Sequence, residues 1–471
     1  MKKLTILSMA VALFATSCDD FLVKEPILTQ STEITLSTFD GLNNAIAGAY
    51  SPLASSTWYG PGFVFEAEMR SGNGKKPTEG DFDSGRYSGS YNISYNPSST
   101  SSLWSYGYFV ISAANNVLAN LEGKEGGDVT ADDINNLKGE ALFLRALAHF
   151  DMVRLYAQPY GYDSNGPGVP VVLVTDPAGK PARNTVAEVY SQIVSDLTEA
   201  EGLISDDYQR EGITDYKAAV TKPAVQALLS RVYLYMEDWT NAAAYATKVI
   251  DNPDFAMWTA DEYASAWTAN IGTSEVIFEV FGDTQNDYDA YWESPMWMST
   301  PGGYADCGTS TDLVNLYEAE DVRNQWLQAE GYDHLYWTIK YAGKGIGTPD
   351  ANNTVVLRLS EMYLNRAEAY VNSGSIEKAA ADLNVITAAR NATAYGSAVT
   401  KEDVYNERRK ELAWEGHLWF DLSRWGKGIT RVDYVGDPTN QNVAAHSYMF
   451  ALPIPKREID VNENLVQNEG Y

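Results

Sequence analysis

Ser230-Arg231-Val232-Tyr233 is followed nine residues on by Ala242 and four further by Ala246, and Ala367-Glu368-Ala369-Tyr370, Ala379 and Leu383 repeat the pattern with the same spacings of 3, 9 and 4. A small residue and a tyrosine one turn apart share a helix face, and alanines on a second helix let two backbones approach closely. Turn residues separate the halves: Glu237-Asp238-Trp239 in one unit, Asn372-Ser373-Gly374 in the other. The glycine suits a helix end in the left-handed conformation. Both stretches therefore read as helix–turn–helix units of a repeat.

Leu137–Tyr156 supplies the first helix of a third unit, with Val186–Leu203 as its partner beyond an inserted loop. Such units are tetratricopeptide-like, each burying its apolar face on the next. Helical periodicity extends to Asp40–Tyr50 (Phe39, Leu42, Ile46 and Tyr50 on one face), Leu103–Leu121, Ala131–Tyr156, Pro223–Met236, Thr240–Ile250, 355–390 and 401–416. Val169–Val174 reads as a short strand. Residues 51–102, dominated by Gly, Ser, Asn and Tyr, and the aromatic-rich 254–350 show no helical period. The expected fold is mainly α: one domain over 18–471, with a helical repeat scaffold (about 103–250 and 355–426) and long irregular loops forming a ligand face.

The chain opens with Met1-Lys2-Lys3, an apolar run from Leu4 to Phe14, and the small residues Ala15, Thr16 and Ser17 before Cys18. That is a charged n-region, an apolar segment too short to span a bilayer, and a small-residue cleavage site. Ending on cysteine, it resembles a bacterial lipobox, with Ala15 where leucine is usual. Residues 1–17 are then a removed signal, Cys18 carries the lipid, and Asp19 to about Thr38 tethers the body. No later stretch has the apolar length of a membrane span.

A formal net charge of −29 makes nucleic acid a poor partner, since such a surface repels phosphate backbones. Thirty-one Tyr and 12 Trp exceed the needs of a core and suit rigid contact surface. With Cys18 lipidated, Cys307 has no disulfide partner. The four histidines, His149, His334, His417 and His446, lack metal-ligand spacing, and Asp163-Ser164-Asn165-Gly166 lacks the acid that would close a calcium loop, so it reads as a turn. No metal or cofactor is expected. Glu411 and Glu415, one turn apart beside Arg408, mimic a general acid and base. Neighbouring arginines lower carboxyl proton affinity and spoil the acid, so the pair reads as part of a structural ion network.

Five segments, in order, resemble the SusD/RagB family of outer-membrane nutrient-binding lipoproteins. They are Cys18–Pro26, Glu140–Phe150, Arg358–Glu368, Glu407–Gly426, and Leu452–Pro455 with Gln467–Tyr471, where Glu469 stands at a position more often proline. The resemblance implies four tetratricopeptide-like pairs and a non-catalytic, lipid-anchored cell-surface protein. It also implies a partner, a SusC-like TonB-dependent outer-membrane transporter, to which glycans or, in some members, peptides are delivered. Its motifs mark the scaffold and transfer no ligand contacts.

Candidate contacts therefore come from chemistry. Aromatic faces stack on sugar rings while amides, carboxylates and guanidiniums reach hydroxyls. One group is Trp58, Arg70, Tyr87, Tyr91, Tyr95 and Asn96, with Tyr59, Asn73 and Arg86 nearby. The other is Asp287, Tyr288, Tyr291, Trp292, Trp297 and Tyr304, with Asp289 between the tyrosines. Trp104 and Trp239 belong to the scaffold. A peptide-binding lipoprotein of the same architecture is the second reading, and a surface glycosidase the third.

Overall fold

A computed structural model describes residues 35–80, 82, 84–99, 103–282, 295–344 and 351–471. Cys18, Asp287, Tyr288, Asp289, Tyr291 and Trp292 lie outside the described residues.

Helix starts follow capping chemistry. Thr38 accepts from the Gly41 amide at 3.1 Å and opens α1, Phe39–Tyr50. Reciprocal Thr130–Asp133 and Thr185–Glu188 capping boxes open Ala131–Tyr156 and Val186–Leu203. Thr221 caps Lys222–Tyr235, whose Pro223 sits in the first turn, where its missing N–H costs nothing. With α2 for Pro61–Ser71 and α3 for Leu103–Asn120, the series continues as α4 (131–156), α5 (186–203), α6 (222–235), α7 Trp239–Ile250, α8 Leu359–Asn372, α9 Ile376–Ala389, α10 Lys401–Leu412 and α11 Leu418–Arg424.

From α3 to α9 each helix packs on the next, the arrangement of a repeat array. The repeat positions make the contacts their chemistry required. Ser230, Ala242, Ala246, Ala367, Ala379 and Leu383 are all fully buried. The Ser230 hydroxyl donates to the Ala242 carbonyl at 3.0 Å, and Asn365 of the next unit donates to the Ser230 oxygen at 3.3 Å. Gly374 ends α8 at φ 78°. Trp104 is buried at the start of α3, and Trp239 packs against Leu234, Ala242 and Ala369.

Four sequence expectations are corrected. Within 51–102 lies α2, nearly all of whose residues are buried; a helix covered on all sides presents no amphipathic stripe. Val169–Val174 forms no strand. Pro170 lacks an N–H, while the Val171 and Val172 amides go to Asn184 Oδ1 and His149 Nε2. The 355–390 block begins as β2, Thr354–Arg358, antiparallel to β1, Val276–Val280, while the turn expected at Asn372-Ser373-Gly374 does separate its two helices. The 401–416 block stops at Leu412, because Trp414 and Gly416 adopt φ 66° and 80°. The segment 163–166 is a turn, closed by the Gly166 amide on the Asp163 carbonyl.

Candidate functional site

Around the last turn of α10 lies an ion network rather than an acid–base pair. Glu411 accepts from Arg323 at 2.9 Å, Arg358 at 2.6 Å and Arg390 at 2.8 Å. Glu415 accepts from Arg358 and Lys340, both at 2.6 Å. Glu275 bridges Arg358 and Arg390, Asp321 holds Arg323, and Glu407 holds Arg323 and Lys410. Five cations thus face five carboxylates, and the buried charges cancel. Burial alone would push the Glu411 carboxyl up, but Arg390, Arg358 and Arg323 outweigh it and hold it well below the usual carboxylate range. Glu415 is lowered in the same way by Arg358 and Lys340. Neither can hold a proton for donation at neutral pH; Glu411 ties α10 to Arg358 of β2 and to Arg390 at the end of α9, and Glu415 adds Lys340.

Most of the first candidate group is drawn inward. Trp58, fully buried, and Tyr59 each donate to Asp151 Oδ2 at 2.7 Å, so Trp58 has no free face. Arg70 is buried, paired to Glu66 and set over the rings of Tyr95 (5.1 Å) and Trp419 (5.8 Å). Tyr91 is buried against Tyr434 at 4.9 Å, and burial pushes its hydroxyl up to about 12. Tyr87 packs edge-on to Phe65. Trp58, Arg70, Tyr87 and Tyr91 are therefore core, not ligand face, because Arg70 lies on the helix missed in the sequence and the other three are buried beside it. Asn96 is exposed and its Oδ1 accepts from the Ser98 amide at 2.9 Å. Tyr95 is half-buried beneath Arg70.

The second group keeps an open surface. A two-residue ladder, Gly74–Lys75 against Gly308–Thr309, brings the two loop regions side by side. Asp306 then accepts from the Ser84 amide at 2.6 Å and from its hydroxyl at 2.9 Å. The clamp sets the exposed Arg86 guanidinium over the Tyr304 ring, 4.7 Å from its centroid and 3.6 Å from Asp306. Half-buried Trp297 lies 6.0 Å from Tyr304. Its carbonyl accepts from the Tyr304 amide at 2.7 Å, closing a Pro301-Gly302-Gly303 turn. Any Cβ on Gly303 would stand 2.7 Å from the indole, so only glycine permits this approach.

Arg86, Tyr304 and Trp297 thus form a ledge of two aromatic rings and a guanidinium. Its chemistry suits a flat, hydroxyl-bearing ligand: C–H faces on the rings and donors from Arg86, with buried Asp306 holding the Ser84–Arg86 loop in place beneath them. Asp306 was missed in the sequence; its role depends on a 222-residue jump to Ser84 that no local pattern reveals. Among the described residues no group of His, Cys, Asp and Glu could hold a metal ion, and no helix is long and apolar enough to cross a membrane.

Known proteins resemble this chain along its length. A family model described as "Starch-binding associating with outer membrane" matches residues 20–234, and another described as "SusD family" matches 324–471. A solved "putative sugar binding protein" from Bacteroides vulgatus is 31% identical with TM-score 0.81, covering 92% of this chain and 99% of its own. A SusD superfamily protein from Bacteroides thetaiotaomicron is 30% identical with TM-score 0.82 and the same coverage. A SusD-like protein from Bacteroides ovatus is 25% identical over 90% of this chain and 82% of its own.

Proposed function

The chain belongs to the SusD/RagB family, and from that premise we propose that it is a non-catalytic cell-surface lipoprotein that binds glycans and delivers them to a TonB-dependent outer-membrane transporter. Cys18 carries the lipid that holds it at the outer membrane. The observation carrying the reading is the Arg86–Tyr304–Trp297 ledge, a stacking surface on ordered loops. The sugar-binding name of the 31%-identical B. vulgatus protein and the starch-binding description of the matching family model support the ligand class. The absence of catalysis is supported by Glu411 and Glu415, whose charges are consumed in the scaffold.

On this reading Tyr288, Tyr291 and Trp292, interrupted by Asp287 and Asp289, extend the ledge with further rings and hydroxyl partners. The Trp292→Ala/Trp297→Ala double variant then loses retardation in native gels cast with the recognised polysaccharide. Unchanged retardation refutes the assignment.

A further inference from the structure

A second cleft lies away from the ledge and shares no residue with it. It has a volume of about 250 Å³ and is walled by Tyr162, His446 and Tyr448, floored by Val186 and Ala451, and rimmed by Asp163 and Glu469. We infer that this cleft is a second carbohydrate subsite, taking one neutral or amino sugar unit; the choice of ligand class rests on the glycan reading above.

The walls are aromatic and open. Tyr162 stacks on His446 with centroids 4.1 Å apart and planes 14° apart, yet is 52% exposed, and Tyr448 is 40% exposed. One side of each ring system is already backed: a Cβ on Gly426 would lie 2.9 Å from the His446 ring, and one on Gly470 2.4 Å from that of Tyr448. The glycines let backbone support the rings from behind, leaving surface for a ligand. His446 also has φ 57°, a left-handed conformation that a non-glycine residue adopts only under strain. The chain bears this strain where it sets the imidazole against Tyr162.

The polar groups want a donor. Gln158 lines the cleft; its Nε2 donates to the Ser447 carbonyl at 3.2 Å, while its buried Oε1 has no hydrogen-bond partner among the described residues. An unmatched buried acceptor is costly, and a sugar hydroxyl or ammonium would satisfy it. Asp163 and Glu469 add acceptors at the rim and disfavour an acidic sugar by like-charge repulsion.

The cleft is also preorganised. Arg183 donates to the Tyr156, Pro167 and Gly168 carbonyls on one side and to the Val466 carbonyl and Asn468 Oδ1 on the other. It thereby fastens the 158–168 wall to the C-terminal tail through protein contacts alone. A site already shaped in the free protein loses less ordering entropy on binding.

The test is saturation-transfer NMR on the full chain with the methyl glycosides of glucose, galactose, mannose and N-acetylglucosamine, with glucosamine, and with glucuronate. The expected result is transfer to at least one neutral or amino sugar and little to glucuronate. That transfer survives Trp297→Ala/Tyr304→Ala and falls at least five-fold in Tyr162→Ala/Tyr448→Ala, both confirmed folded by circular dichroism. Transfer equal in Tyr162→Ala/Tyr448→Ala and wild type overturns the second subsite. So does the absence of transfer to every probe while polysaccharide still retards the protein in gels; the glycan reading then stands without it. Failure of every glycan, large or small, overturns both.

Discussion

Glu411→Gln is the most demanding substitution for the scaffold. The side chain keeps its shape but loses its charge and gains an amide N–H₂ facing guanidiniums. Arg323, Arg358 and Arg390 approach the two carboxylate oxygens at 2.6–2.9 Å, so either amide orientation sets donor against donor. The site is sealed, with side chains at 0–1% exposure, so water cannot repair the loss. Breaking a buried pair from one side costs about 3–5 kcal/mol. An unfolding entropy of about 2.1 cal/mol/K per residue, over a chain of this length, converts each kcal/mol into about 1 °C of Tm. Differential scanning calorimetry should therefore show Tm lower by about 3–5 °C. Glu402→Gln, which removes the exposed Lys427–Glu402 pair, should leave Tm unchanged. A Glu411→Gln protein with wild-type Tm would refute the structural role of the network and reopen the acid–base reading.

Acid should weaken the fold in two stages. Burial holds His149 down to about 4 against an ordinary 6.5, with Nδ1–H donating to the Arg145 carbonyl and Nε2 accepting from Val172. The unfolded chain therefore takes a proton below pH 6.5 that the folded chain refuses, and stability falls by about 3 kcal/mol between pH 6.5 and 4. Urea midpoints of His149→Gln should lose this slope. Glu411 and Glu415 are depressed, so their contribution is present above about pH 4.5 and is lost as pH falls through their folded values, steepening the second stage. Gly416→Ala forces a Cβ into a φ of 80° and to 3.1 Å from Val64 Cα, and should lower Tm by about 1–2 °C in the same calorimeter. Cys18→Ala should bind glycan in solution like wild type but fail to restore growth on that glycan in a deletion strain; full restoration would show that the lipid is dispensable.

The repeat scaffold was legible because its signals are local: small residues and tyrosines at matching spacings, helical periodicity, and a glycine after Asn372 and Ser373. The Glu411–Glu415 network was legible from its mixture of arginines and carboxylates, although Glu415 lies beyond the helix end that Trp414 and Gly416 impose. Helix α2 was not, because its buried residues carry no two-sided pattern. That miss also misled the site reading, since Arg70 lies on that helix and Trp58, Tyr87 and Tyr91 are buried beside it. The Arg86–Tyr304 contact and the Tyr162–His446 stack join residues hundreds of positions apart, and only the tertiary fold reveals them.

The central claim, binding without catalysis, is tested by one paired measurement. The full mature chain is run in native gels containing each of a panel of polysaccharides, and the same mixtures are assayed for new reducing ends. The account predicts retardation by at least one polysaccharide, lost in Trp297→Ala/Tyr304→Ala, with no reducing ends released. Release of reducing ends, or free migration through every polysaccharide in the panel, would contradict it.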